Sequence, residues 1–492
     1  MWKPTVDHFS VTVATVADLS LADLGKQIAD TSKQIAETQK LVLSGQTALN
    51  IVWTLVTGFL VMFMQAGFAL VETGLTRAKN VAHTMGMNFL VYSIGIIGYW
   101  ALGFALQMGG IGALPTFGND ATLSSEFVIN IPGKDFGLFG VRGFFLSPEV
   151  FTSPVAALFL FQMVFMDTTA TIPTGAMAER WRFTSFVLFS LVISSFTYPI
   201  FANWVWGGGW LSQLGRNFHL GHGHVDFAGS SVVHMVGGVA ALMGARALGP
   251  RIGKYDAAGN PRPIPGHNMP MVALGTFILA FGWFGFNPGS TLAGTDTRIA
   301  IIAVNTMLAS AAGAFSAYLY TKVRFGTPDL SMLCNGMLAG LVAITAPCAF
   351  VTAPAAILIG AIAGVLVILS TMFVEKTLKI DDPVGAVSVH GTNGAWGILS
   401  VGLFADGRYG DGWNGVPGTV RGLFYGDASQ LAASVIGIVV CFVWTATVTG
   451  VVLRIIDGLV GNRSSPRDEV EGLDVPELGI EGYAAEGAGV SE

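Results

Sequence analysis

Eleven stretches of mostly apolar residues recur along the chain, at about 49–71, 81–108, 153–178, 183–203, 227–247, 268–287, 299–320, 330–350, 354–374, 384–404 and 431–456. Each is close to the ~20 residues that a helix needs to cross a bilayer core about 30 Å thick. The pattern predicts an all-α polytopic membrane protein of eleven transmembrane helices, residues 49–456, between an N-terminal tail (1–48) and a C-terminal tail (457–492). The N-terminal tail is amphipathic. Leu21, Ile28, Ile35 and Val42 recur every seven residues with Leu24 at a d-like position, but Thr31 and Thr38 occupy the later ones. Half a heptad seam fits a helix packed against its copies in an oligomer, or one lying on a protein or lipid surface. The apolar stretch at 11–16 is short, interrupted by threonine and preceded only by Lys3, so it does not read as a signal peptide and the tail is expected to be retained.

Composition sharpens this picture. Hydrophobic residues make up 52% and charged residues 11%, with a mean hydropathy of +0.62. Ordinary soluble domains carry about 25% charge, so a water-soluble fold of this size would lack the charge to cover its surface. A disordered chain, a nucleic-acid binder and almost any cytosolic enzyme are excluded. The 64 glycines suit helices that touch closely, and the net charge of −6 adds little. Cys334, Cys348 and Cys441 lie in apolar runs without metal-ligand spacing and read as small buried hydrophobes. Placing Lys and Arg on alternate sides puts fifteen on one side, among them Arg77, Lys79, Arg180, Arg251 and Arg463. Outside the N-terminal tail the other side has six: Lys134, Arg142, Arg216, Arg298, Arg408 and Arg421. By the positive-inside rule the N-terminus is outside and the C-terminus cytoplasmic.

Two segments align without gaps, Asp226-Phe-Ala-Gly-Ser-Ser-Val-Val-His234 and Asp382-Pro-Val-Gly-Ala-Val-Ser-Val-His390. They fall in the fifth and tenth spans, which enter from opposite sides, so the repeat is inverted: five plus five helices and one more, the arithmetic of a transporter or channel. At 1.5 Å per residue each histidine lies about 12 Å into the membrane from its aspartate, which brings both near the midplane. Ionisable groups at that depth are costly and usually functional. An imidazole pair offers one donor and one acceptor per ring, which suits a small permeant that both gives and takes hydrogen bonds. Asp226 and Asp382 read as N-terminal caps, with Asp226 also able to draw in a cation.

Glycine-aromatic strings border several spans: Trp204-Val-Trp206 before the glycines at 207–209, Gly282-Trp-Phe-Gly-Phe286 leading to Ser290, and Phe161-Gln-Met-Val-Phe165. A ring face stabilises a desolvated cation by ~1–2 kcal/mol. Together with Gly74-Leu-Thr-Arg-Ala-Lys-Asn80, Ala178-Glu-Arg180 and Asp381-Asp-Pro, these strings resemble the ammonium transporter family (Amt/Mep/Rh) from about residue 50 to 483. The resemblance implies a paired pore of His234 and His390, a phenyl gate of Phe165 and Phe286, and an ammonium-recruitment site of Trp206, Phe165 and Ser290. It makes Asp226 the outer aspartate, with Phe161 and Asp382 in support, and it implies a homotrimer. The presence of Trp206 and Ser290 favours the Amt/Mep branch of bacterial type, in which a PII-type signalling protein can plug the cytoplasmic mouth. No cofactor, metal or catalytic residue is implied. An ammonium sensor of the same fold with little flux is the alternative.

Other residues stand apart from that pattern. Asp167 occupies a Thr-rich stretch where the family has small apolar residues, and it is expected to pair at a subunit boundary or to line a polar side route. His219, His222 and His224 have a spacing that could hold zinc but read better as solvated loop residues. Glu72, Glu179 and Arg180 are expected in ion pairs or helix caps at span ends. The C-terminal tail resembles the family's regulatory tail and is expected to dock between subunits. It shows Leu478-Gly-Ile480 where His-Gly-Glu is common, and no fused output domain is expected.

Overall fold

Helix α1 runs unbroken from Leu21 to Leu75, started by Ser20, whose hydroxyl accepts the Asp23 N–H. No proline interrupts it, so the expected boundary at residue 48 is not a break in the backbone. The computed structural model describes residues 20–483; the 11–16 stretch and Lys3 lie outside the described residues. Residues 20–46 of α1 are exposed along their whole length, and the helix enters the body of the protein near Asn50, which donates to the Thr116 carbonyl.

Ten further long helices follow: α2 (Ala78–Met108), α3 (Ser153–Met177), α4 (Phe183–Trp206), α5 (Ser230–Leu248), α6 (Met269–Thr291), α7 (Ile299–Phe325), α8 (Leu330–Thr345), α9 (Ala353–Lys376), α10 (387–404) and α11 (Ala428–Val460). Nine of the eleven, all but α8 and α10, are long and apolar enough to cross a membrane. The span expected at 330–350 stops at Thr345; Ala346 keeps helical backbone angles, but Pro347 after it has no N–H with which to continue the helical hydrogen bonds. Large apolar side chains such as Phe89, Phe277 and Val323 face outward, as a lipid-facing surface requires. α3 and α5 are the most enclosed helices and α11 the least.

The fold is not purely helical. Strands β1 (Glu126–Ile131) and β2 (Lys134–Gly140) form an antiparallel hairpin in the α2–α3 connection, turned at Gly133 with φ of 78° and clasped by the stacked rings of Phe127 and Phe139. Trp204 Nε1 and the Trp210 N–H donate to the carbonyls of Leu138 and Gly137, which fixes the hairpin over the end of α4. This defines a hairpin face. The opposite, tail face carries the C-terminal segment, which docks on its own chain: the Asp474 carboxylate accepts the N–H groups of Ala82 and His83, the Leu473 N–H donates to Asn80, and Lys79 donates to the carbonyls of Glu469 and Val470.

Where α5 and α10 cross, the two aligned segments make matching contacts. A side chain added at Gly238, four residues after His234, would meet the backbone of Gly391, one residue after His390. One added at Gly394, four after His390, would meet the Ser230 carbonyl and Met235, one after His234. The contact is the same from either side.

Candidate functional site

Each histidine is placed by an aspartate and a wide turn. The Asp226 carboxylate accepts the N–H groups of Gly229, Ser230, Ser231 and Val232 and the Ser231 hydroxyl, at 2.7–3.0 Å. Asp382 accepts from Val384, Gly385 and Val387. Both therefore act as the caps their position suggested, satisfying amides that a helix start leaves free. Directly after each cap the backbone widens into a π-helical stretch, Ser230–Met235 and Val387–Thr392, which contain His234 and His390. Wide turns of this kind are frequent at functional sites.

The two imidazoles meet with Nδ1 atoms 3.2 Å apart and ring centroids 5.3 Å apart, both rings buried. One Nδ1 donates and the other accepts, so the ring that donates has a bare Nε2 and its partner an Nε2–H. Either arrangement presents one acceptor and one donor. His234 Nε2 has no partner within the protein. Its ring stacks on Trp283 and Phe286, at centroid distances of 5.4 and 5.3 Å. Phe286 in turn stacks on Phe165 at 4.1 Å, Phe165 meets Phe161 at 4.7 Å and the edge of Trp206 at 6.0 Å, and His390 faces Phe68 at 6.1 Å. A column of rings thus runs from Trp206 to Phe68.

A cavity of about 150 Å³ opens above the column, lined by Phe161, Phe165, Trp206 and Ser290 together with Gln162, Phe227 and Trp413. Trp206 is held by its Nε1–H, which donates to the Asp226 carbonyl at 2.7 Å, and the Ser290 hydroxyl donates to the Phe286 carbonyl at 2.8 Å. Asp226 is buried and its oxygens are fully engaged, so it supports the cavity and does not line it. Below His390 a smaller void of about 20 Å³ touches Phe68, Glu72, Asn335 and Val384.

The structure corrects several expectations. Among the described residues Glu72 has no ion-pair partner: buried within α1, it accepts from Asn88 and Thr174 and reaches the lower void. Asp167 is buried inside the chain on α3 with Oδ1 unpartnered among the described residues, which leaves it no exposed surface for the expected pairing with another subunit. His222 and His224 are buried, not solvated; His222 bonds the Gly418 carbonyl, and His224 Nε2 lies 2.9 Å from the Ser231 hydroxyl. Among the described residues no three His, Cys, Asp or Glu side chains come together as a metal site would require, so these histidines form no such cluster. Glu179 does pair, with Arg77 and with Arg251, and Arg251 also holds Asp381 at 2.8 Å. Burial alone would raise the Asp381 carboxyl, yet the Arg251 hydrogen bonds and charge keep it down at about 2. Arg180 donates instead to the carbonyls of Ala178, Gly249 and Asp381. Phe68 was missed in the sequence, where nothing separates it from its apolar neighbours. The aromatic string at 282–286 did contain Trp283.

Residues 52–483 match the model of the Ammonium Transporter Family. The chain belongs to that family. It is 45% identical over 437 residues to "Ammonium transporter Amt2" of Archaeoglobus fulgidus, covering 88% of each chain. With "Ammonium transporter Amt1" of Haloferax mediterranei it shares 37% identity over 446 residues, 88% of this chain and 79% of that one. Among solved structures it resembles one titled "Sensor Amt Protein", with a TM-score of 0.76 and 34% identity over 88% of this chain and 99% of that chain. It also resembles Candida albicans Mep2, with a TM-score of 0.71 and 26% identity over 87% and 88%. The ammonium transporter family is one of multi-pass membrane transporters, not enzymes, and its membership of the Amt/Mep group accords with the motifs around Trp206 and Ser290.

Proposed function

We propose that the chain moves ammonium across the cell membrane through a pore in each subunit of a homotrimer, with the hairpin face outside and the tail face in the cytoplasm. In this reading all eleven helices span, as an inverted five-plus-five repeat with α11 added. The observation that carries it is the unbroken order of cavity, ring pair and histidine pair along one line. NH₄⁺ gathers in the cavity under Trp206, Phe165 and the Ser290 oxygen, where ring faces offset part of its dehydration. The stacked Phe165 and Phe286 must part for it to pass. Beyond them the histidine pair offers one acceptor and one donor to a small hydrogen-bonding guest. K⁺ has no N–H to give to Ser290 or to an imidazole, so discrimination rests on hydrogen bonding more than size. A PII-type signalling protein would meet the tail face.

A sensor with little flux is the second reading, favoured by the likeness to the structure titled "Sensor Amt Protein". Purified protein in liposomes on a solid-supported membrane separates the two. An ammonium pulse should give a current, or internal alkalinisation without current, and a K⁺ pulse neither. His234→Ala should change the flux or the ammonium/K⁺ ratio. No response to ammonium from protein that still binds it would leave the sensor.

A further inference from the structure

The exposed half of α1 carries three copies of a seven-residue sequence repeat: Leu21-Ala-Asp-Leu-Gly-Lys-Gln27, Ile28-Ala-Asp-Thr-Ser-Lys-Gln34 and Ile35-Ala-Glu-Thr-Gln-Lys-Leu41, with Val42 opening the next. A helix that only covers a surface has no need of a strict seven-residue period, since a straight helix drifts ~20° per heptad; holding the period winds a seam around a partner helix. Apolar residues occupy position a in every repeat, and Leu24, Thr31 and Thr38 occupy d. Among the described residues these side chains have nothing to pack on: Leu21 is 91%, Ile28 61% and Ile35 52% exposed.

Charge decides what covers them. The acids Asp23, Asp30 and Glu37 fall at c and the lysines Lys26, Lys33 and Lys40 at f, all away from the seam. The flanking e and g positions carry no charge, with Gln27, Ser32, Gln34 and Gln39 among them. Identical helices side by side, parallel and in register, therefore bring no like charges together at the seam. A lipid-surface helix needs the opposite composition, basic on its polar face and with large apolar side chains below. Here three lysines balance three acids and the repeats contain no Phe or Trp. The backbone agrees, because α1 continues without a break into its membrane-spanning part and would have to bend sharply to lie flat. From Leu21 to Ala48 it extends about 42 Å beyond the body at 1.5 Å per residue.

We propose that this segment is a self-association stalk, a parallel, in-register coiled coil formed with the same segment of other copies of this chain on the hairpin face. β-branched residues at both a and d, Ile28 and Ile35 with Thr31 and Thr38, favour three strands over two. The strand number rests on the homotrimer proposed above, whereas the self-association does not.

The test is oxidative cross-linking of the full-length protein in membranes, where the native Cys334, Cys348 and Cys441 are all buried. Ile35→Cys, at a, places thiols of neighbouring copies within disulfide reach, whereas Lys33→Cys, at f, points them apart. The disulfide-linked fraction should be about tenfold higher for Ile35→Cys. Equal linkage at both sites, or none at either, overturns the stalk. So does an environment-sensitive label on Ile35→Cys that becomes shielded only in liposomes, which would place the stripe on lipid. Native mass spectrometry of the cross-linked protein counts copies: two in place of three would refute the trimer and leave the stalk standing.

Discussion

Gly238 and Gly391 touch each other, yet replacing them with alanine should have opposite outcomes. A Cβ at Gly238 would lie 2.1 Å from Gly391 N and 2.4 Å from its Cα. These are backbone atoms that cannot rotate away, so α5 and α10 must separate by about 1.3 Å to reach the 3.4 Å at which ordinary contact begins. The imidazoles ride on the same two helices with their Nδ1 atoms 3.2 Å apart, and that separation takes them beyond hydrogen-bond range. Overpacking costs ~1–3 kcal/mol and stranding buried polar nitrogens a similar amount, so Gly238→Ala should destabilise by about 2–5 kcal/mol. A Cβ at Gly391, by contrast, meets its nearest atom at 3.4 Å and fits. Gly391→Ala should change stability by less than about 1 kcal/mol, and the loss of glycine's backbone entropy cost pushes it in the stabilising direction. Unfolding of the two detergent-purified variants beside wild type, with ammonium pulses on the same samples in liposomes, reads both effects. Wild-type stability and flux in Gly238→Ala, or equal damage from Gly391→Ala, would refute the reasoning.

Three further outcomes follow from the buried charges. Asp226→Asn puts an amide where one carboxylate oxygen accepts two or more hydrogen bonds; it should cost about 2–4 kcal/mol in an unfolding assay and, by loosening Trp206, raise the half-saturating ammonium concentration. Arg251→Ala leaves Asp381 buried without its partner and should destabilise by ~3–5 kcal/mol at neutral pH. Because the Asp381 carboxyl is depressed, that stability is present above its ordinary value of 3.8 and is lost as pH falls through about 2, so acid titration should bring variant and wild type together. Glu126 in the hairpin is shifted the other way, raised to about 7 by burial against the opposing Asn203 hydrogen bond. Its folded form keeps the proton, so stability should fall as pH rises from 4.5 to 7, and Glu126→Gln should flatten that slope in unfolding measurements at pH 5 and 8.

What could be read in the sequence was what depends on covalent spacing. Asp226 and His234, and Asp382 and His390, are each eight residues apart, and that matched spacing pointed to the two caps without any tertiary contact. The ring pair of Phe165 and Phe286 followed only from the family resemblance, since a separation of 121 positions along the chain gives no geometric hint of a 4.1 Å stack. Burial was misjudged where it depends on a distant neighbour. His224 is enclosed because Gly437 on α11 leaves room for its ring: a Cβ there would lie 1.9 Å from His224 Nδ1. Glu72 finds Asn88 and Thr174 across two other helices. The hairpin at 126–140 was overlooked because a search for long apolar runs passes over a strand of six residues.

The column of rings also bears on the cell's energy supply. Phe165 and Phe286, stacked with centroids 4.1 Å apart, leave no room for a water between their rings, and a file of waters interrupted at that point could not carry protons by exchanging hydrogen bonds. A membrane held at 100 mV stores about 2.3 kcal/mol for each elementary charge. A wet hole open to ammonium would drain that store continuously, whereas a path closed by Phe165 and Phe286 admits passage only as separate events. In the proposed pore the tight stack would therefore act as electrical insulation as much as a filter, letting a nutrient route stay permanently installed in a membrane that must hold a voltage.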